Sequence, residues 1–140
     1  MTSIRAKSVC IFRHQNKILL TEGYDPTKDE HYLIPLGGGI EFGETSKQAA
    51  VREIFEEISA ETYAHELLGV VENLFVFDGT PGHEIVFIYE AKFVDEELYY
   101  KSELEGFESN GVKINVRWFD QDVLKNGAIK IYPHGILNIL

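Results

Sequence analysis

Glu44, Arg52, Glu53, Glu56 and Glu57 set four carboxylates and one guanidinium close together in the chain, just after the run Gly37, Gly38, Gly39. Carboxylate oxygens in this number are hard ligands, suited to Mg²⁺ or Mn²⁺ rather than to zinc, which takes His or Cys. Glycines bare of side chains let the main chain approach a metal or a phosphate closely. A divalent ion between acids and a polyanion would let an acidic site hold a phosphate-bearing molecule.

A helix must carry these acids. Thr45 is placed to act as its N-cap, with Gln48 closing a capping box, and no proline or glycine interrupts the chain from there to Ile58. At about 100° per residue, Val51, Ile54, Phe55 and Ile58 form one apolar stripe, with Glu53, Glu56 and Glu57 on the opposite face. Like charges at that spacing, roughly 5–6 Å apart, destabilise one another, and no lysine stands between them. Such a face wants a compensating cation. Many acidic helix faces are simply solvated. Here the glycine run and the fixed spacing, with five residues between Gly38 and Glu44 and seven between Glu44 and Arg52, argue for a site.

In register, Gly38, Glu44, Arg52, Glu53, Ile54, Glu56 and Glu57 match the pattern G-x5-E-x7-R-E-U-x-E-E-x-G-U, where U is aliphatic. The segment from Gly38 to Ala60 thus resembles the signature of the Nudix hydrolase family. Two positions depart from it: Ser59 replaces the usual glycine, and Ala60 a larger aliphatic residue. The glycine ends the helix in a left-handed conformation, so serine there should cost a little stability or shift the helix end. It carries no metal chemistry.

The resemblance implies an α/β fold, an α/β/α sandwich with a mixed β-sheet and a loop-helix-loop motif. It implies hydrolysis of a nucleoside diphosphate linked to another moiety, with Mg²⁺, or Mn²⁺ in its place, as cofactor. Glu56 and Glu57 are then metal ligands, and Glu53 is a ligand or the base that activates water. A backbone carbonyl near Gly37 is a further ligand, Arg52 orients the glutamates through ion pairs, and Glu44 supports the loop. The alternative is a regulatory domain of the same fold that binds a nucleotide without turnover. An interaction domain whose acidic helix meets a basic partner is a third reading, and it predicts no Mg²⁺ affinity at that face.

The 140 residues are 44% hydrophobic and 12% aromatic, enough for one compact domain spanning 1–140. A formal charge of −10, with 13 Lys and Arg, argues against a nucleic-acid partner and leaves a small phosphate-bearing substrate open. The single cysteine, Cys10, fits a reducing cytoplasm and reads as a core filler. No signal peptide or membrane-spanning stretch is expected. The resemblance also allows a homodimer.

Strands are expected at 7–13, 17–22, 67–77, 83–94 and 112–119, with an extended segment at 31–36. The stretch 95–110 reads as an acidic loop with some helix, 121–126 as a short helix and 134–140 as a closing helix. Glu96, Glu97 and Glu105 are weaker candidates for an extra ligand or base. His31 and Tyr32, just ahead of the glycine run, are placed to touch substrate, and His83–Glu84 reads first as a strand-entry pair, with a place flanking the cleft as the alternative. One of Phe75, Phe77, Tyr89 and Trp118 would suit stacking on a base. Nucleotide sugars such as ADP-ribose, nucleoside triphosphates and dinucleoside polyphosphates all remain open as substrates, and capped RNA is the least attractive.

Overall fold

The computed structural model describes residues 2–140. Two apolar runs set its centre. Val9–Phe12, at the end of β1 (Ile4–Ile11), and Ile18–Leu20, in β3 (Lys17–Asp25), are buried at every position, as in strands covered on both faces. Successive side chains therefore enter two different cores. Cys10, Phe12 and Leu19 pack with Ala50 and Ile54 of α1 (Ser46–Ile58). Val9, Ile11, Ile18 and Leu20 pack on the other side with Leu124 of α2 (Gln121–Lys125) and with Ile136.

Two sheets result. One runs β5 (Leu36–Gly39), β1, β7 (Thr80–Phe93), β6 (Thr62–Phe77), with β1 and β7 parallel and the other neighbours antiparallel. The second runs β10 (Lys130–Ile131), β4 (Glu30–Ile34), β3, β9 (Lys113–Asp120), β8 (Glu103–Phe107), with β2 (Arg13–His14) paired to β3. Mixed sheets with helix on either side are the α/β/α sandwich that the sequence implied.

The helix α1 starts and stops as its end residues dictate. Thr45 Oγ1 accepts from the Gln48 amide at 3.1 Å, and Gln48 Oε1 accepts from the Thr45 amide at 2.9 Å. At the other end Ser59 itself adopts the left-handed conformation, φ 55° and ψ 30°, and its N–H donates to the Phe55 carbonyl at 2.9 Å. Serine therefore does not shift the helix end.

Four expectations need correction. Phe55 is not on the buried stripe: the covered face centres on Ala50 and Ile54, and the Phe55 ring is 56% exposed. No closing helix forms at 134–140. Gly135 sits at φ 86°, and only one 3-10 turn, Ile136–Asn138, follows, because so short a segment cannot nucleate a helix. The glycine run is a strand rather than a loop, pairing antiparallel with β1 from Cys10↔Leu36 to Lys7↔Gly39. The stretch 95–110 contains β8, whose alternating burial puts Leu104 and Gly106 inward.

Candidate active site

The Arg52 guanidinium organises the acids. Its Nε and Nη2 grip both Glu44 carboxylate oxygens at 2.7 and 2.8 Å. Nη1 reaches Glu53 at 2.9 Å and Glu56 at 3.2 Å, and the second Nη2 donor meets the Gly39 carbonyl at 2.9 Å. Five contacts use the five donors that a guanidinium has. Arg52 therefore ties the helix to the glycine strand and has no donor left over for a phosphate. The hydrogen bonds from Arg52 hold the Glu44 carboxyl at about 2, well below the usual range, against some burial, with the Glu41 amide helping.

Glu57 meets the opposite situation. Its Oε1 accepts from the Gly37 amide at 2.9 Å. Burial pushes its carboxyl up to about 8, the nearby Glu53 charge adds to this, and the Gly37 bond only partly opposes it. Glu53 itself lies so close under β5 that a Cβ at Gly38 would fall within its carboxyl group. Any larger residue there would displace it.

A hard divalent cation suits this arrangement. A half-buried carboxylate held beside another carboxylate is short of positive charge, and its donors are oxygens. Glu53, Glu56 and Glu57 are the residues that would hold it. Glu53 and Glu57 are half-buried against β5, and Glu56 beside them is exposed. Among the described residues, no three His, Cys, Asp or Glu side chains already stand as a ligand set. Arg52 instead neutralises Glu53 and Glu56.

These groups form one end of a cavity of about 630 Å³. Arg5 and Lys7 of β1 border it across the glycines, and Tyr32, Phe75, Phe77 and Tyr132 supply aromatic walls. Asp25, 2% exposed, pins its rim by accepting from the Thr27 amide at 3.0 Å and the Asp78 amide at 3.2 Å.

Several sequence candidates lie elsewhere. Glu96, Glu97 and Glu105 do not line the cavity, and Glu105 pairs with Lys113 at 3.5 Å; Glu108 and Ser109 border it instead. His31 turns away to Glu22 at 2.9 Å, and His83 to Glu72 at 3.3 Å. The Tyr89 hydroxyl is bonded to Ser46 Oγ at 2.7 Å, and Trp118 Nε1 donates to the Lys101 carbonyl at 3.0 Å, so neither ring reaches the cavity. Tyr32, Phe75, Phe77 and Glu84 do border it. Arg5, Lys7, Asn73 and Glu108, which no motif marks, border it too. Asn73 alternates with Phe75 and Phe77 along β6, the one sign that it shares their face.

The profile of the NUDIX domain matches residues 2–134. Over 61 residues the chain is 39% identical to MutT4 of Mycobacterium tuberculosis (strain CDC 1551 / Oshkosh), covering 44% of this chain and 25% of that protein. The match thus spans about a quarter of that relative's length. A hydrolase of the NUDIX family from Clostridium perfringens superposes with a TM-score of 0.62 at 20% identity, over 96% of this chain and 90% of that one. An ADP-ribose pyrophosphatase from Streptococcus suis gives 0.56 at 14% identity, over 96% and 87%. At these identities the structural likeness is one of fold.

Proposed function

Because this chain belongs to the Nudix family, with a NUDIX domain over residues 2–134, we propose that it is a divalent-metal-dependent pyrophosphohydrolase. Its substrate would be a small nucleoside diphosphate linked to another moiety. One observation supports this most: Glu57, half-buried beside Glu53 and against the glycine strand, has its carboxyl raised to about 8 by burial first and the Glu53 charge second. A carboxylate disfavoured by burial and by a like charge is stabilised by a divalent cation placed beside it. The ADP-ribose pyrophosphatase among its fold neighbours is in keeping with this reading.

A bound Mg²⁺ or Mn²⁺ would supply the charge that polarises a phosphoryl group and acidifies water beside it. Glu56 and Glu57 would hold that charge in place. Glu53, with Oε1 engaged by Arg52, keeps its other oxygen for the same cation or for the proton of the attacking water. Arg52, clamped by Glu44, fixes the position of Glu53 and Glu56 and keeps the glycine strand against the helix. Arg5 and Lys7, across the glycines, face the negative charge that builds on the phosphates. Cys10 is buried, its thiol pushed up to about 12 by burial and then by the Glu57 charge, which makes it inert as a nucleophile.

A direct test is the release of nucleoside monophosphate from a panel of nucleoside diphosphate derivatives, with Mg²⁺, with Mn²⁺ and with EDTA. Metal-dependent release that falls by a factor on the order of 10³ in Glu57→Gln, with the fold intact, is the expected result. Binding of nucleotide without release in any condition would favour a regulatory domain instead.

A further inference from the structure

Three neighbouring strands place polar side chains in one row on the cavity floor. Asn73 of β6 is the register partner of Glu84 of β7, and Glu84 is the register partner of Arg5 of β1. Asn73 and Glu84 are 5% and 9% exposed, yet both border the cavity. Buried polar groups that open on a cavity are placed to meet a ligand.

One long hydrogen bond from the main chain orients the Asn73 carboxamide. The His134 N–H, which can only donate, reaches Asn73 Oδ1 at 3.4 Å. The carboxamide oxygen is thereby assigned, and its NH₂ group is left with no acceptor among the described residues. Beside it Glu84 offers acceptors only, and its one ion pair, Lys7 Nζ to Oε2, is loose at 3.7 Å. A donor and an acceptor therefore stand side by side, about 5 Å apart at the backbone.

Aromatic rings stand at the same end. Phe75, two residues on from Asn73 and on the same face, lies over Gly82, where a Cβ would collide with the ring. Tyr32 and Tyr132 meet edge to face with centroids 5.4 Å apart, and both border the cavity. Two strand spacings, roughly 10 Å, separate Asn73 from Arg5 beside the glycines. That separation suits a base at one end and phosphates at the other.

We propose that Asn73 and Glu84 select nucleotides whose base shows a carbonyl next to a ring N–H: guanine, hypoxanthine, uracil or thymine. This rests on the pyrophosphohydrolase reading of the same cavity. The Asn73 NH₂ donates to the base carbonyl, and the neighbouring ring N–H donates to the Glu84 carboxylate. With the sugar and phosphates held at the Arg5 end, so that the base enters in one orientation, adenine and cytosine reverse both groups. Their amino group meets the Asn73 donor, and their bare ring nitrogen faces a carboxylate, so two buried groups lose their partners.

The test uses matched pairs that differ only in the base: GTP against ATP, UTP against CTP, and UDP-glucose against ADP-glucose, each with Mg²⁺. For every pair that is hydrolysed, the keto member is expected to have at least about tenfold higher kcat/KM. In Asn73→Leu that ratio falls toward one through loss on the keto member alone. Glu84→Ala does the same and serves as the second variant. Equal rates within pairs, or faster turnover of the adenine and cytosine members, would overturn the proposal. So would an unchanged ratio in both variants. If no pair is hydrolysed, these nucleotides are not substrates, and the hydrolase reading is left to the wider panel. Calorimetric binding of GMP against AMP and of UMP against CMP then still decides base selection, with the same tenfold criterion.

Discussion

Arg52 spends every one of its donors on protein oxygens, so its value lies in geometry rather than in charge alone. A lysine keeps the charge but has neither the fork nor the fifth donor. Arg52→Lys is expected to lower kcat by about 10²-fold while changing KM little, measured under saturating Mg²⁺. Glu57 gives a prediction of opposite sign for stability and activity. Its folded-state carboxyl titrates near 8, above the ordinary glutamate value of 4.5, so the folded state binds the extra proton between those values. Its contribution is full below about 4.5 and is lost as pH rises toward 8. In EDTA, the wild-type Tm should therefore fall more between pH 5 and pH 8.5 than that of Glu57→Gln, and Mg²⁺ should restore it at the high-pH end. Parallel Tm profiles for the two proteins would count against the buried-carboxylate account. The acids were legible in the sequence because they are neighbours on one helix. Asn73, Glu84 and Glu108 were not, or were less so, because β6, β7 and the segment after β8, far apart in sequence, bring them to the cavity.

At the scale of elements, the ends of α1 fix where its acids point. The side chain of Thr45 closes the capping box, and Thr45→Ala is expected to cost about 1 kcal/mol in denaturant unfolding. Ser59 is held left-handed at φ 55°, a conformation that glycine adopts without strain. Ser59→Gly should therefore gain about 1 kcal/mol, or about 3 °C in Tm, with no change in activity. A loss of stability in that variant would mean that the serine has a role not visible in its backbone. The capping box, the central strands and the helix were readable from short-range patterns. The closing helix was misread because apolar residues spaced like a helix, Ile136, Leu137, Ile139 and Leu140, instead pack singly after a left-handed Gly135. The strand β8 was missed because its outward Glu103 and Glu105 made an alternating segment look like an acidic loop.

The whole chain carries a charge of −10, and its cavity lets acids and a few cations share the walls. A phosphate-bearing ligand would be repelled by such a molecule were Arg5, Lys7 and a divalent cation not set around the glycine strand. Among the described residues, no helix is long and apolar enough to cross a membrane. The fold class followed from strand and helix order together with the matched motif, whereas the cavity depends on how two sheets and the turns at 26–29 and 78–79 come together, which local sequence does not encode. The cation is the point on which the account turns. Crystals soaked in Mn²⁺ and measured at the manganese absorption edge should show an anomalous peak against Glu53, Glu56 and Glu57, absent from Glu57→Gln crystals. No peak at those carboxylates in the wild type, at a soak concentration that supports turnover, would contradict it.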